Sequence, residues 1–253
     1  MRVKWHGQKS SERKLNGGGP QGSTLGVWEY LAQSNDNANC VDPDYKYKFV
    51  DDLSVLEKIN LLTIGLTNFN CKNSFPSDIP TDTNFIPSEN LTSAKFIEEI
   101  QKWTTDKKMK LNQKKTKVMI FNFTNNYKFT TRLMMNNENI EVVNKSKLLG
   151  TIVSDKLTWD ENTNYLIKKA YKRMQLLHKV ANFTSSRNEK KEIYISYIRS
   201  LLEQSCVVWH SSLTQENSND LERVQKSAVK IISGNNYSNY EQAKDQLNLD
   251  TLN

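Results

Sequence analysis

The apolar pattern of this 253-residue chain changes period once, near Trp159, and that change restricts its architecture more than any other feature. Before it, Tyr45, Tyr47 and Phe49 alternate with Lys46 and Lys48, and short apolar runs recur at Val118 to Phe123, Lys128 to Met134, Ile140 to Val143 and Leu148 to Val153. Successive side chains of a strand point to opposite faces, so these segments predict short strands or hairpins separated by Asn-rich turns. Between them a polar loop containing Pro76, Pro80 and Pro87 is expected over 67–88. Ser88 then caps a helix with Leu91, Ala94, Ile97, Ile100 and Trp103 on one face. After Trp159, the residues Leu166, Ala170, Met174, Leu177 and Ala181 recur on one helical stripe, predicting a helix from about Asn162 to Phe183 with that stripe in the core. Further helices are expected over about 189–203 and 219–232. The chain therefore reads as α+β: a ragged basic terminus over 1–16, a mixed region over 17–159, and an all-helical region over 160–253.

Lys and Arg outnumber Asp and Glu by 35 to 28, a net charge of +7, which favours a polyanionic partner and equally suits a merely soluble basic protein. Cys40, Cys71 and Cys206 are odd in number, far apart and without a CxxC pair, so neither a disulfide framework nor a zinc module is indicated. No run approaches eighteen consecutive apolar residues and the first twenty lack an apolar core, so an intracellular location, cytoplasmic or nuclear, is expected, with no membrane-spanning segment.

Two local features carry chemistry. Gly17, Gly18 and Gly19 free the backbone ahead of Pro20, and an apolar helical stretch begins at Leu25, so this segment is a loop leading into a helix. Leu53, Val55 and Ile59 follow the adjacent acids Asp51 and Asp52, which predicts a hairpin with both acids at its turn and with Phe49 and Val50 holding that turn against the sheet. Both carboxylates of such a turn can reach one Mg²⁺, a cation that takes oxygen ligands. A polar surface turn fits the hairpin equally well. Six Lys lie between Lys107 and Lys117, and the long helix carries Lys168, Lys169, Lys172, Arg173 and Lys179. By themselves such runs are most often solvated faces.

Taken in order, these segments resemble a known family. Gly18-Gly19-Pro20-Gln21-Gly22-Ser23-Thr24-Leu25-Gly26 is similar to the second palm motif of reverse transcriptases of the non-LTR retrotransposon kind, and Phe49-Val50-Asp51-Asp52 resembles their catalytic third motif. Leu111 to Phe121 resembles the fourth, and Lys147-Leu148-Leu149-Gly150 with Leu157-Thr158-Trp159 resembles the primer-grip hairpin. Tyr197 to Trp209 and Leu221 to Lys226 are similar to the helical stretch after the thumb. Five ordered motifs make a specific signal where each alone is weak.

The resemblance implies a partial polymerase palm, an antiparallel sheet with packed helices, followed by an all-helical thumb and post-thumb region. It implies RNA-templated DNA synthesis by two-metal nucleotidyl transfer, with Asp51 and Asp52 as catalytic and Mg²⁺-binding residues and Lys115 near the triphosphate. Gly19, Pro20, Gln21, Gly22 and Ser23 would meet template and nucleotide, and Leu149, Gly150 and Trp159 would form the primer grip. Lys168, Lys169, Lys172 and Arg173 would follow the nucleic-acid backbone. The implied partners are an RNA template, a DNA primer or RNA–DNA hybrid, and deoxynucleoside triphosphates. Residues 1–35 contain no Asp, and their only acids are Glu12 and Glu29, so the family's first metal-binding Asp strand and its fingers are expected to be missing and the chain inactive alone. Gly26-Val27-Trp28-Glu29-Tyr30 also departs from the family pattern. The alternatives are a catalytically silent nucleic-acid-binding fragment and a helical protein-interaction module over 160–250.

Overall fold

The computed structural model describes residues 4–5, 8–9, 11, 46–49, 52–59, 83–123, 128–183 and 186–252. In chain order the strands are β1 (Lys4–Trp5), β2 (Gln8–Lys9), β3 (Lys46–Phe49), β4 (Asp52–Val55), β5 (Thr83–Ile86), β6 (Lys117–Val118), β7 (Lys128–Thr131), β8 (Met134–Met135), β9 (Glu138–Asn139), β10 (Glu141–Val142), β11 (Lys145–Leu148) and β12 (Thr151–Ser154). Helices α1 (Thr92–Asp106) and α2 (Asp160–Phe183) are followed by α3 (Arg187–Ile193), which runs through a π-helical stretch, Tyr194–Arg199, into α4 (Ser200–Leu202). Then come α5 (Cys206–Trp209), α6 (Gln215–Ser233) and α7 (Tyr240–Gln246). The architecture is α+β, strand-rich before α2 and helical after it. Contacts divide the chain into two compact units, one of Met1–Ile79, Phe85–Thr116 and Thr131–Ile140, the other of Pro80–Asn84, Lys117–Thr130 and Glu141–Asn253.

In the first unit, β3 and β4 pair antiparallel with Phe49 opposite Asp52, which leaves residues 50 and 51 between the paired ends. Asp52 is the first residue of the second strand, and Asp51 lies outside the described residues. In the first unit Ile97 and Ile100 of α1 are buried, as are Leu91, Leu133, Met135 and Ile140. Thr104, not Trp103, completes the buried face of α1; its hydroxyl is satisfied by the Gln101 carbonyl at 2.9 Å.

Two expectations are corrected here. Residues Thr83–Ile86, placed by their polar composition in a loop, form a strand whose Ile86 is buried and whose Ile86 carbonyl accepts from the Thr131 hydroxyl at 2.8 Å. Ser88 does not cap α1: it lies in a 3₁₀ turn, and the helix starts at Thr92. The cap comes from across the unit, where the Glu57 carboxylate accepts from the Thr92 and Ser93 amides at 2.6 and 2.9 Å. An anion there satisfies two orphan N–H groups and meets the positive end of the helix dipole. Glu57→Ala is expected to destabilise this unit by about 1 kcal/mol, with loss of amide-exchange protection confined to the first turn of α1. An unchanged protection pattern would show that the cap contributes nothing.

In the second unit, β11 and β12 form a hairpin with Lys145 opposite Ser154 and Leu148 opposite Thr151. Asn162 in the first turns of α2 ties that hairpin to the helix, its Oδ1 accepting from the Ile152 amide at 3.0 Å. Asp160 and Glu161 sit in the first turn of α2, where negative charge is favourable. The stripe Leu166, Ala170, Met174 and Leu177 is buried, as its period requires, against Tyr194, Ile198, Val224, Ala228 and Ile232. Thr214 caps α6 by accepting from the Asn217 amide at 3.2 Å, and Gly234 ends it at φ 54°.

The strands differ from the expected antiparallel sheet. Among the described residues they form separate two-stranded pairs, and β6 pairs with β10 in parallel. Half of these strands span only two residues and the rest four, too short to carry a wide ladder, and Asn136 and Asn137 at φ 51° and 64° turn the chain after β8. No helix among the described residues is long and apolar enough to cross a membrane.

Candidate nucleic-acid interface

The loop residues Gly19, Pro20, Gln21, Gly22 and Ser23, and the acid Asp51, lie outside the described residues. Asp52 is exposed at the start of β4. Phe49 beside it is 61% exposed, so it does not anchor the hairpin against a sheet as expected; among the described residues the hairpin has two strands and no third to receive that ring. Lys115 ends the 3₁₀ turn Gln113–Lys115, with its side chain exposed and its amide held by Asn112 Oδ1 at 3.3 Å. Among the described residues no three His, Cys, Asp or Glu side chains gather as a metal-binding group.

The hairpin residues assigned to a primer grip have distinct settings. Leu149 and Gly150 form its tip at φ 47° and 94°, the latter a conformation that glycine takes without steric cost. A Cβ on Gly150 would meet Gln204 Nε2 at 2.3 Å, and the same amide donates to the Leu149 carbonyl at 3.4 Å, so the tip is seated on the turn after α4. Leu149 is half exposed, whereas Trp159 is buried in the core of the helical unit. Only the tip, and not the indole, is available to a ligand.

On α2 the four cations assigned to a nucleic-acid backbone separate into two kinds. Lys168 and Lys172 are exposed and four residues apart, one turn along the same face. Arg173 instead lies over the Tyr197 ring with its guanidinium carbon 4.5 Å from the centroid, and Nη1 donates to the Tyr197 carbonyl in the π-helical stretch. Its charge is spent in tying α2 to that stretch, where the altered winding leaves the carbonyl open to an outside donor. Lys169 approaches Tyr165 at 5.1 Å from the ring centroid, and Lys147 from β11 approaches the same ring at 4.7 Å and donates to its hydroxyl at 2.6 Å. The Lys147 hydrogen bond first, and that from Lys169 second, hold the Tyr165 phenol below its ordinary range.

Sequence reasoning did not single out Tyr165 or Lys147 as a pair. Their signal was present only in part: Tyr165 and Lys169 are four apart on one helix, but the approach of Lys147 depends on how the hairpin lies on α2. The same unit holds an open cavity of about 420 Å³ lined by Leu202, Cys206, Trp209, His210, Leu221 and Leu252 among others, and none of Lys168, Lys169, Lys172 and Arg173 borders it. Compared with protein-family models, with curated proteins and with solved structures, the chain finds no match.

Proposed function

We propose that this chain is part of a retroelement reverse transcriptase, binding an RNA–DNA hybrid and contributing to RNA-templated DNA synthesis. Five motifs in family order, from Gly18 to Lys226, carry the reading. The antiparallel register of Phe49 against Asp52 supports it, since it puts Asp52 at one end of a hairpin. Asp51 and Asp52 would hold Mg²⁺ through carboxylate oxygens, the donor type this cation prefers, and Mg²⁺ would neutralise charge on a triphosphate. Residues 1–35 supply no third Asp, so nucleotidyl transfer would need that carboxylate from another segment or subunit. Hybrid binding would be sequence-independent, resting on the exposed Lys168 and Lys172.

The test is binding of an RNA–DNA hybrid by the full chain across a salt series, followed by primer extension with Mg²⁺. Binding is expected at low salt and should weaken steeply as salt rises, with the slope falling by about one for each of Lys168→Gln and Lys172→Gln. Asp51→Asn should leave that binding unchanged and abolish any extension obtained when the missing strand is supplied in trans. Absence of hybrid binding at low salt would remove the reading.

A further inference from the structure

The strand β11 and the helix α2 meet in a ladder of charges. On β11, Lys145 and Lys147 are two residues apart and therefore on one face of the strand; on α2, Glu161, Tyr165 and Lys169 recur every four residues on one face of the helix. At the first rung Lys145 pairs with Glu161 at 2.8 Å, cation to anion. At the second, Lys147 meets a phenol in place of a carboxylate, and Lys169 brings another cation to the same ring. No carboxylate is paired with Lys147 or Lys169 among the described residues, and the hydrogen-bond and ring contacts of both run to Tyr165.

Two ammonium groups held against one phenol repel each other unless an anion shares them. Tyr165 accepts the Lys147 hydrogen bond and keeps its own O–H to donate. The second rung therefore presents two cationic donors and one hydroxyl donor, and no charged acceptor. We propose that Lys147, Tyr165 and Lys169 form a phosphate-binding seat where the hairpin meets α2. A phosphate group suits it better than a carboxylate because three converging donors match three oxygens, and because Lys168 and Lys172 extend positive charge along α2 for a chain of phosphates. The phosphate would come from a polynucleotide backbone, in which case the seat rests on the function proposed above, or from a free nucleotide.

The full chain with ¹³C-labelled tyrosine rings provides the test, with the Tyr165 resonance identified by its loss in Tyr165→Phe. Inorganic phosphate at low salt is expected to shift that resonance in the wild type and not in Lys147→Gln/Lys169→Gln. The double variant should also bind an RNA–DNA hybrid about tenfold or more weakly at low salt, with a salt slope lower by about two. Tyr165→Phe, which keeps both cations, should lose several-fold. These side chains are exposed or half-exposed, so an unchanged melting temperature is expected to accompany the loss. A phosphate-induced shift without hybrid binding would assign the seat to free phosphate or nucleotide and remove only the polymerase reading. No shift with phosphate, a shift that persists in the double variant, or poly-glutamate that shifts the resonance as strongly as phosphate, would overturn the seat.

Discussion

Trp209→Ala is expected to lower the stability of the helical unit by about 3 to 5 kcal/mol, the cost of deleting a large aromatic side chain from a packed site. Trp209 is 1% exposed and belongs to the same core as Leu202 and Leu221. Its indole N–H also donates to the Gln204 carbonyl at 2.9 Å, closing the turn in which Ser205 adopts φ 56°. Helix α5 is only one turn long, and its own residues Val207 and Val208 are 93% and 61% exposed, so Trp209 carries most of its packing. The ring is thus the anchor of a segment too short to be helical alone. Urea unfolding would measure the loss, and Trp209→Phe, which keeps most of the packing, should recover more than half of it. Equal losses for the two variants would show that the hydrogen bond, and not the buried ring, dominates.

Gln225→Leu is expected to cost about 2 to 4 kcal/mol, although leucine is apolar and of similar size, because it strands several buried polar groups at once. Gln225 is fully buried on α6. Its carbonyl accepts from the Tyr194 hydroxyl at 2.7 Å and from Arg199 Nη1 at 3.3 Å, and its amide donates to the Asp250 carbonyl at 2.9 Å and the Tyr240 hydroxyl at 3.0 Å. Glu222, one turn earlier, accepts from Tyr240 and, at 2.9 Å, from the Leu252 amide. Arg199 Nη1 and His210 Nε2 add donors to the carbonyls of Asp250 and Leu252 at 2.9 and 2.8 Å. One side chain therefore joins the π-helical stretch, α6, α7 and the segment after α7.

Burial pushes the Tyr194 phenol well above its usual range and does the same to Tyr240, with the Glu222 hydrogen bond adding to the latter. Both phenols stay protonated and donating through the neutral range, so the hydrogen bonds they donate should persist between pH 6 and about 9. The diagnostic comparison is a double-mutant cycle. Tyr194→Phe in the Gln225→Leu background should cost less than in the wild type, since the hydroxyl has already lost its acceptor. Additive losses would mean that the two residues do not act through one network.

Much of the helical half was legible. The stripe from Leu166 to Leu177 became core because a 3.6-residue period leaves one face to bury, and the helices around 189–203 and 219–232 appear as Arg187–Leu202 and Gln215–Ser233. The strand-rich half was legible in its elements and not in their pairing. The parallel match of Lys117–Val118 with Glu141–Val142 joins residues 24 apart, and nothing in either dipeptide names its partner. Thr83–Ile86 was hidden for a related reason: a segment rich in polar residues becomes a strand only when a neighbour supplies its hydrogen bonds.

The candidate sites divide along the same line. Periodicity alone determined which helices form, which stripe they bury, and that Lys168 and Lys172 share a solvent-facing turn, because those relations lie within four residues and follow from helix geometry. Folding in three dimensions decided that Glu57 caps α1, that Arg173 ties α2 to the π-helical stretch, and that Lys147 joins Lys169 at Tyr165. Those contacts join residues far enough apart in the chain that only the packing of one element on another brings their charges within reach, where a few ångströms separate a paired cation from one available to a ligand.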